Sequence, residues 1–531
     1  IISTAAPFFL GLFQAVILNN KRVICKKAWR SILILPWALP AMISQLNFQQ
    51  LFNGQFGPLN KYLLQAGIID SPIYWLTDST NPWIPRLTIL GIGLWLGFPY
   101  FMALMSGIMT SISKDIYEAA EVDGATEGQQ FWKITLPLVL SATAPLLVMS
   151  FASNFNNFGL IYFLTEGGPV NPNFIYAGHT DILISWIYKL TMNDKMYNMA
   201  SVLSILIFLI LGSISAINFT RTAAFKEEQF MEAAKSLKVN SVKNKSKTSS
   251  TKNTISKVKE ITYTILIYAE LIFMCFIVLF PVVWIVGSSF NEGTSLAGAT
   301  PIPANPTIAH YVELFEKTNF AKWYLNTLKI AVINMLFSVF LSTTMGYIFA
   351  RFRFKGKKPA LISILVLQMF PSFMGMTALY ILFLTFNLLD NHWALILCYS
   401  AGQIPYNTWL IKGYMNSIPK ELDESAMLDG ATKGQIFFKI MFPLIQPIVS
   451  FVAVTTFMTP WMDFIFPRLI ISSNHKLTLA VGLYDMISGN SQNNFTMFAA
   501  GCVLVAVPIT LVYISMQKFL IEGMTAGANK G

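Results

Sequence analysis

Two polar segments of the chain carry the same residue types at the same spacing, and the chemistry they suit is docking. Lys114–Leu138 reads KDIYEAAEVDGATEGQQFWKITLPL, and Lys420–Leu444 reads KELDESAMLDGATKGQIFFKIMFPL. Fourteen of the 25 aligned positions are identical, at a constant offset of 306 residues. Small residues beside an acid, as at Glu118 and Glu424, make a knob that can enter a groove and pair with a basic partner.

Each copy is predicted to fold as a helix, a turn and a second helix. Ser113 suits the start of the first helix, and a glycine ends that helix because glycine takes the left-handed conformation cheaply. Thr126 with Gln129, and Thr432 with Gln435, match the Thr-x-x-Gln capping box that opens a second helix. A plainer alternative is an amphipathic loop resting on the bilayer surface. The near-identical polar copies argue against that alternative.

The other potentially reactive residues form no recognisable nucleotide, metal or redox motif in the sequence. The chain has no G-x-x-x-x-G-K-[ST] motif, so no nucleotide-binding P-loop is predicted. Its four His and four Cys show neither metal-ligand nor redox spacing. We therefore predict no catalytic residue and no metal site.

Composition places the two polar segments in a membrane protein. Of the 531 residues, 54% are hydrophobic and 12% are charged, against about 25% charged in soluble proteins. A helix needs about 20 mostly apolar residues to cross a bilayer. Eleven runs of that kind lie near 1–18, 31–51, 86–110, 138–163, 198–219, 264–290, 323–350, 360–386, 392–415, 444–470 and 497–520. The predicted fold class is an all-α polytopic membrane protein with about eleven transmembrane helices.

Lys and Arg in the connections indicate the orientation. Loops 21–30 and 351–358 are basic and contain no acid, and the polar stretch 221–260 holds ten Lys or Arg against four Asp or Glu. All three are predicted to be cytoplasmic. Much of the net charge of +11 is therefore predicted to lie on the cytoplasmic face of the membrane. It does not indicate a nucleic-acid partner. Residue 1 then lies outside, and at least one further span is expected to precede it.

The repeat and the basic stretch divide the chain into three parts. Six predicted spans separate the polar copies, so both copies lie on the cytoplasmic side. The repeat is therefore parallel, with a pseudo-two-fold axis along the membrane normal. We predict a first membrane half at 1–220, a flexible basic linker at 221–260 and a homologous second half at 261–531.

The pattern E-A-A, three residues, Gly, nine residues and I-x-L-P resembles the signature of ABC importer permeases. The first copy matches it fully, and the second departs only at Ser425 and Phe442. The segments NGQFGPL at 53–59 and NFNNFGLIYFLTEGGP at 154–169 are similar to the first membrane subunit of maltose/maltodextrin importers. The segment ARFRFKG at 350–356 is similar to the second subunit. The resemblance implies the type I importer permease fold, with two subunits joined in one chain.

The resemblance also implies partners and contact residues. In that family the repeated loops dock on two copies of an ATPase subunit that binds ATP and Mg, and an extracellular solute-binding protein delivers a neutral oligosaccharide. The coupling residues carried over are Glu118, Ala119, Ala120, Gly124, Glu424, Ser425, Ala426 and Gly430. The substrate-binding residues carried over are Leu96, Gly97, Tyr100, Ser150, Asn154 and Asn157. The binding-protein contacts, alternatively a plain extracellular turn, are Ser473, Asn474, His475 and Lys476. The implied location is a bacterial cytoplasmic membrane, which the chain crosses several times and in which it contacts lipid.

Several alternatives stay open at this point. The asparagines within 154–157 serve either a sugar or helix–helix hydrogen bonds. Asp463 and Arg468 form either a gating ion pair or separate charges that snorkel to the interface. Ser153 and Gly93 stand where maltose permeases have an aromatic residue and Asn, so another neutral sugar, such as a galacto-oligosaccharide, is the alternative cargo. An ion-coupled secondary transporter would need buried carboxylates, and a charged cargo would need Arg or Lys in the path; the spans favour neither.

Overall fold

The described part of the chain is built from helices. A computed structural model describes residues 1–174, 176–221, 253–368, 372–416, 418–488 and 494–526. Within these ranges the chain forms helices and no strand. Most of the linker predicted at 221–260 lies outside the described residues, since 222–252 are not among them. Below, the first half means residues 1–221 and the second half means residues 253–526.

Helices follow one another closely in both halves. The first half contains Ile2–Asn19, Lys26–Leu33, Leu35–Ala38, Ala41–Leu51, Pro58–Gln65, Trp83–Ser111, Lys114–Val122, Glu127–Gln130, a π-helical turn at Phe131–Thr135, Leu136–Phe155, Phe158–Thr165, Leu183–Met192 and Tyr197–Arg221. The second half contains Asn253–Ser288, a 3-10 turn at Leu296–Gly298, Ala309–Lys317, Phe320–Arg351, Lys357–Gln368, Ser372–Thr385, His392–Asn416, Glu421–Leu428, Lys433–Ile436, a π-helical turn at Phe437–Met441, Phe442–Leu444, Gln446–Met462, Ile465–Ile470, a 3-10 turn at Asn474–Lys476, Leu479–Ser488 and Phe495–Ala526.

Fewer helices than predicted have the length and hydropathy of a membrane span. Among the described residues five do: Ile2–Asn19, Trp83–Thr110, Glu260–Ser288, Phe320–Arg351 and Phe495–Met516. The pair Lys433–Leu444 and Gln446–Met462, bent by 78°, would make a sixth. The all-α polytopic fold class is confirmed, whereas the count of eleven is not.

The difference has a local cause, because several predicted spans are interrupted by capping residues and prolines. The predicted span 31–51 is broken before Ala41, where Pro40 precedes a new helix. Asn157 caps a new helix inside the predicted span 138–163. The break before Ala41 leaves helices of 11 residues or fewer, too short to cross the bilayer singly, whereas the break at Asn157 leaves Leu136–Phe155 with 20 residues.

The sequence repeat extends to the packing of the long helices. In the first half Ile2–Asn19 lies along Trp83–Ser111, and in the second half Phe320–Arg351 lies along His392–Asn416. These are the most extensive helix–helix contacts in the structure. The two halves thus share the packing that the parallel repeat predicts.

A glycine permits the close approach in each of these helix pairs. A Cβ atom on Gly11 would lie 2.6 Å from the Cβ of Phe101. A Cβ atom on Gly346 would lie 2.7 Å from a side-chain methyl of Ile411. Any larger residue at either glycine would push the two helices apart, because real Cβ atoms do not pack so closely.

The first helix of the second half packs across onto the first half. Asn253–Ser288 contacts Lys26–Leu33 and Ala41–Leu51 of the first half, as well as Phe495–Ala526 of its own half. In addition, Phe495–Ala526 packs against Trp83–Ser111. The two halves therefore interlock, and helices of one complete the packing of the other.

A proline creates a specific hydrogen bond in this interlock. Pro281 has no N–H, so the carbonyl of Ile277 one turn earlier loses its helical donor. The indole Nε1 of Trp95, from the first half, donates to that carbonyl oxygen at 3.2 Å. The side-chain amide of Asn47 donates to the carbonyl oxygen of Pro281 at 3.1 Å. Both bonds join the halves, and the bond from Trp95 pairs a carbonyl that the helix itself leaves without a donor.

Candidate functional site

The first helix of each polar repeat ends as the sequence predicts. The helices run Lys114–Val122 and Glu421–Leu428. Gly124 and Gly430 follow them with φ of +79° in both copies. Because this left-handed conformation is costly for other residues, a glycine is required at both turns.

The second helix of each repeat opens with the predicted capping box. Thr126 accepts a hydrogen bond from the backbone N–H of Gln129 at 3.3 Å, and the Gln129 side chain accepts from the Thr126 N–H at 2.9 Å. Thr432 and Gln435 exchange the same two bonds, at 3.3 and 2.8 Å. The two turns therefore have the same local geometry, set by residues within each segment.

A π-helical turn then leads from each loop into an apolar helix. It spans Phe131–Thr135 in the first copy and Phe437–Met441 in the second. The N–H of Leu136 bonds to the carbonyl of Phe131, which is a five-residue step. Pro137, the next residue, has no N–H to offer, which favours such a widened turn. At Pro137 the helix is therefore widened and continues into Leu136–Phe155.

The predicted coupling residues lie mostly at the surface of these loops. Ala120 is half-buried and Ala426 is buried. The exposed members are Glu118, Ala119, Gly124, Glu424, Ser425 and Gly430. The acids and the turns of both loops are therefore accessible to another molecule.

Large apolar side chains at equivalent positions of the two loops are exposed to the same extent. Val122 and Leu428 are 88% and 90% exposed, and Trp132 and Phe438 are 68% and 67% exposed. Exposed apolar side chains that cluster on a loop mark a surface for another protein or for the membrane. The sequence analysis missed Trp132 and Phe438, although the repeat itself held the signal.

A buried ion pair holds the second loop but has no counterpart in the first. The Arg351 Nε and a carboxylate oxygen of Asp423 lie 2.6 Å apart, and the two side chains are 6% and 10% exposed. Arg351 also donates to the carbonyl of Ile418 at 3.0 Å. Burial raises the pKa of Asp423, and the Arg351 guanidinium limits the rise. In the first copy Tyr117 takes the place of Asp423, and its hydroxyl bonds to the hydroxyl of Thr135 at 2.8 Å.

The candidate substrate residues lie on two helices of the first half and at the break that follows. Trp83–Ser111 carries three of them, and Leu136–Phe155 carries two. All six are half-buried: Leu96, Gly97, Tyr100, Ser150, Asn154 and Asn157. The ring of Tyr100 lies 5.6 Å from that of Trp37. The set offers rings, hydroxyls and amides, and none of its members is charged.

Hydrogen bonds within the first half engage two of the asparagines. Asn154 donates through its amide to the carbonyl of Ser3 at 3.3 Å and to the hydroxyl of Thr4 at 3.2 Å. Asn157 accepts from the N–H of Leu160 at 3.4 Å and so caps the helix that follows. Helix–helix bonding, the alternative drawn from the sequence, is thus present at Asn154.

Asn154 also borders an open cavity of ≈ 450 Å³. Its lining is formed by Ile1, Ser3, Phe151, Asn154, Phe155, Ala177, Asp181, Ile182, Leu183 and Trp186. Tyr100 and Asn157 are not part of this lining. The cavity therefore gathers only one of the six candidate substrate residues.

The gating ion pair considered for Asp463 and Arg468 is not formed. Asp463, which stands 306 residues after Asn157, likewise accepts from the N–H three residues later, that of Phe466 at 3.5 Å, and also from that of Ile465 at 3.0 Å. Its second oxygen accepts from the hydroxyl of Tyr399 at 2.8 Å. Arg468 instead pairs with Asp485 at 2.9 Å. Asp463 is thus a helix cap at the repeat-equivalent break.

The outer loop predicted to meet a binding protein is held firmly by Asp390. The Lys476 ammonium lies 2.8 Å from the Asp390 carboxylate, and the Ser473 hydroxyl donates to that carboxylate at 2.7 Å. Although burial opposes the shift, hydrogen bonds from Lys476 and Ser473 hold the pKa of Asp390 well below its usual range. Asn474 and His475 are exposed, whereas Ser473 and Lys476 are half-buried. The middle two side chains of the loop are therefore the most accessible to a partner, although the Asn474 amide oxygen already accepts from the Asn319 amide at 2.7 Å.

The sequence analysis overlooked a carboxylate inside the interlocking helix. Glu270 lies in Asn253–Ser288, and the side-chain amide of Gln14, from the first half, donates to one of its oxygens. The other oxygen of Glu270 is buried and has no partner among the described residues. A single acid within the predicted span 264–290 was the available signal, since ionisable residues in spans are rare.

A helical membrane chain in which two halves repeat, each presenting the same exposed loop, has the architecture of a transport permease. The family model described as "Binding-protein-dependent transport system inner membrane component" matches residues 8–224 and 342–525, and the chain belongs to this family. It is accordingly a multi-pass membrane component of an ABC importer and not an enzyme, because the ATPase of such importers is a separate subunit.

Each of three relatives matches about half of the chain. GanQ, a galactooligosaccharides transport system permease protein of Bacillus subtilis (strain 168), is 42% identical over 278 residues, 52% of this chain and 98% of that protein. GanP of the same organism, named for the same transport system, is 45% identical over 219 residues, 41% of this chain and 51% of that protein. MdxG, a maltodextrin transport system permease protein of that organism, is 38% identical over 264 residues, 50% of this chain and 95% of that protein. The chain thus spans about half the length of GanP.

One solved structure is similar to half of the chain. It belongs to a bacterial ABC transporter involved in the import of the acidic polysaccharide alginate. The identity is 21% and the TM-score is 0.44, covering 51% of this chain and 99% of that one.

Proposed function

We propose that this chain forms the translocation path for a neutral oligosaccharide of the galacto-oligosaccharide or maltodextrin type. The observation that carries the proposal is its similarity to permeases named for these two sugars, over nearly the full length of GanQ and MdxG. The uncharged rings, hydroxyls and amides of the candidate path support it, since aromatic faces stack on sugars and amides bond their hydroxyls. The higher identities to GanQ and GanP favour a galacto-oligosaccharide over a maltodextrin.

In this proposal the two repeated loops couple the path to two copies of an ATPase subunit in a bacterial cytoplasmic membrane. The ATPase copies hold ATP and Mg, and their closure draws the docked loops together and favours an outward-facing path. Glu118 and Glu424 pair with basic groups of the ATPase, while the exposed Val122 and Leu428 enter its groove. An extracellular binding protein meets the loop 473–476. The chain then divides into halves at 1–220 and 261–531, joined by the linker 221–260.

The docking part is tested by placing charges on the exposed apolar positions. Val122→Asp and Leu428→Asp should each weaken ATPase binding at least tenfold, because burying such a side chain contributes about 1.5–3 kcal/mol. Val170→Asp is the matched control, since Val170 is 75% exposed but lies on a predicted outer loop. Binding of the purified ATPase to the reconstituted chain is the measurement. Wild-type binding by both loop variants would show that ATPases dock elsewhere.

The role of the two acids needs a separate measurement. In Glu118→Ala with Glu424→Ala, we expect the sugar-stimulated ATPase activity of the assembled complex to fall. Undiminished activity would show that these acids do not couple. The cargo is tested by uptake of galactotriose and maltotriose into proteoliposomes by Tyr100→Ala, Asn154→Ala and Asn157→Ala. Unchanged kinetics for both sugars would move the substrate site away from these residues.

A further inference from the structure

The offset of 306 residues assigns each candidate substrate residue an equivalent in the second half. Tyr100 corresponds to Tyr406, and Gly97 corresponds to Gln403. Both pairs lie on equivalent helices, Trp83–Ser111 in the first half and His392–Asn416 in the second. The second half thus carries a tyrosine and an amide at positions where the family resemblance assigned no substrate contact.

Tyr100 lies where the two halves meet, because its ring is 5.6 Å from that of Trp37, which in turn lies 5.3 Å from the ring of Tyr513 in the second half. Tyr406 is close enough to Tyr100 to interact with it electrostatically, and both residues are half-buried. Among the described residues, neither hydroxyl has a hydrogen-bond partner. A tyrosine hydroxyl away from bulk water normally finds a partner. Two unpaired hydroxyls at equivalent positions of repeated helices are therefore available to a polar ligand.

A buried network orients the side chain of Gln403. Its oxygen accepts from the Asn334 amide at 3.3 Å and from the Ser338 hydroxyl at 3.2 Å. Asn334 is fully buried and is itself held by the carbonyl of Thr456 at 2.7 Å and the hydroxyl of Ser400 at 3.0 Å. The Gln403 nitrogen has no partner among the described residues. The network thus fixes one end of the amide and leaves its two N–H donors for a ligand.

We propose that Gln403 and Tyr406 form a second sugar subsite, so that one oligosaccharide lies between the halves and is held from both. This inference rests on the proposed sugar import. The hydroxyls of Tyr100 and Tyr406 bond to sugar hydroxyls from opposite sides, and the Gln403 amide donates to a sugar oxygen. Gly97 has no side chain, so the first half has no amide equivalent to that of Gln403. The more polar edge of the sugar therefore faces the second half.

The test removes one hydroxyl and retains its ring. Tyr406→Phe should fold normally, because that hydroxyl bonds no described residue. The chain is reconstituted in proteoliposomes with its ATPase and binding protein, and galactotriose and maltotriose uptake is measured per ATP hydrolysed. Tyr406→Phe should lower this ratio about 2- to 10-fold, the loss expected for one neutral hydrogen bond. Tyr380→Phe is the matched control, since Tyr380 is 36% exposed and lies in another helix.

The outcomes separate this inference from the function on which it rests. If Tyr406→Phe matches Tyr380→Phe while Tyr100→Phe lowers uptake, the subsite is confined to the first half and the inference is wrong. If the wild-type complex takes up neither sugar, the proposed function itself fails. A fall in Tyr406→Phe and Tyr100→Phe, with Tyr380→Phe unchanged, supports a sugar held from both halves.

Discussion

Breaking the Arg351–Asp423 pair should loosen the second coupling loop and leave the first one unchanged. The paired atoms lie 2.6 Å apart and the two side chains are only 6% and 10% exposed, so little solvent screens them. Asp423→Leu leaves the Arg351 charge buried with only the carbonyl of Ile418 and the Met441 sulfur as partners among the described residues. Removing one partner of a buried pair typically costs about 3–5 kcal/mol.

Hydrogen exchange measures this cost locally. With 1.4 kcal/mol for each factor of ten, exchange of the amides in Glu421–Leu428 should accelerate on the order of 10²- to 10³-fold in Asp423→Leu. The amides of Lys114–Val122 provide an internal reference, because Tyr117 replaces the acid in that copy and bonds within its own loop. Mass spectrometry of peptic fragments from the reconstituted chain reports both loops in one experiment.

A double variant separates the ion pair from a general loss of packing. Arg351→Met with Asp423→Leu removes both charges, and most of the protection should return, because apolar residues often replace a buried pair without loss. Three results would refute the reasoning: less than tenfold acceleration in the single variant, equal acceleration of both loops, or a double variant as mobile as the single one.

Two further perturbations test the outer loop and the interlock. Asp390→Asn should mobilise a spin label at position 474 at every pH. In the wild type, where hydrogen bonds depress the pKa of Asp390, the label should stay ordered at neutral pH and loosen only as the pH falls below the unfolded value of about 3.9. Trp95→Phe removes the donor to the Ile277 carbonyl and should destabilise the chain by about 1–3 kcal/mol, seen as a lower Tm. Trp83→Phe, at a 62% exposed tryptophan, should leave Tm unchanged.

The docking loops could be predicted in detail because their structure depends on neighbours in the chain. The bonds between Thr126 and Gln129 span three residues, and the φ of Gly124 depends on its own missing side chain. Both signals can be recognised in a short window of sequence. Because the repeat contains each of them a second time, the same turn is expected, and found, at Thr432 and Gly430.

The helix breaks and the interlock could not be predicted because they depend on features that hydropathy averages hide. A window of about 19 residues does not register that Asn157 or Asp463 caps a new helix inside an apolar run. Likewise, nothing local indicates that the Ile277 carbonyl, freed by Pro281, meets Trp95 of the other half. Such pairings join residues far apart in sequence, where spacing carries no information.

The two halves differ at interior positions and are alike on their exposed loops, and the proposed partners explain this distribution. Val122 and Leu428 are equally exposed, as two copies of one ATPase would require of two docking surfaces. Equivalent interior positions are under no such constraint, because each half has different neighbours there. Tyr117 therefore corresponds to the buried, paired Asp423, and the amide of Gln403 stands where the first half has glycine. A path between such halves presents unlike walls to its cargo, which suits an oligosaccharide with one polar edge and one apolar face.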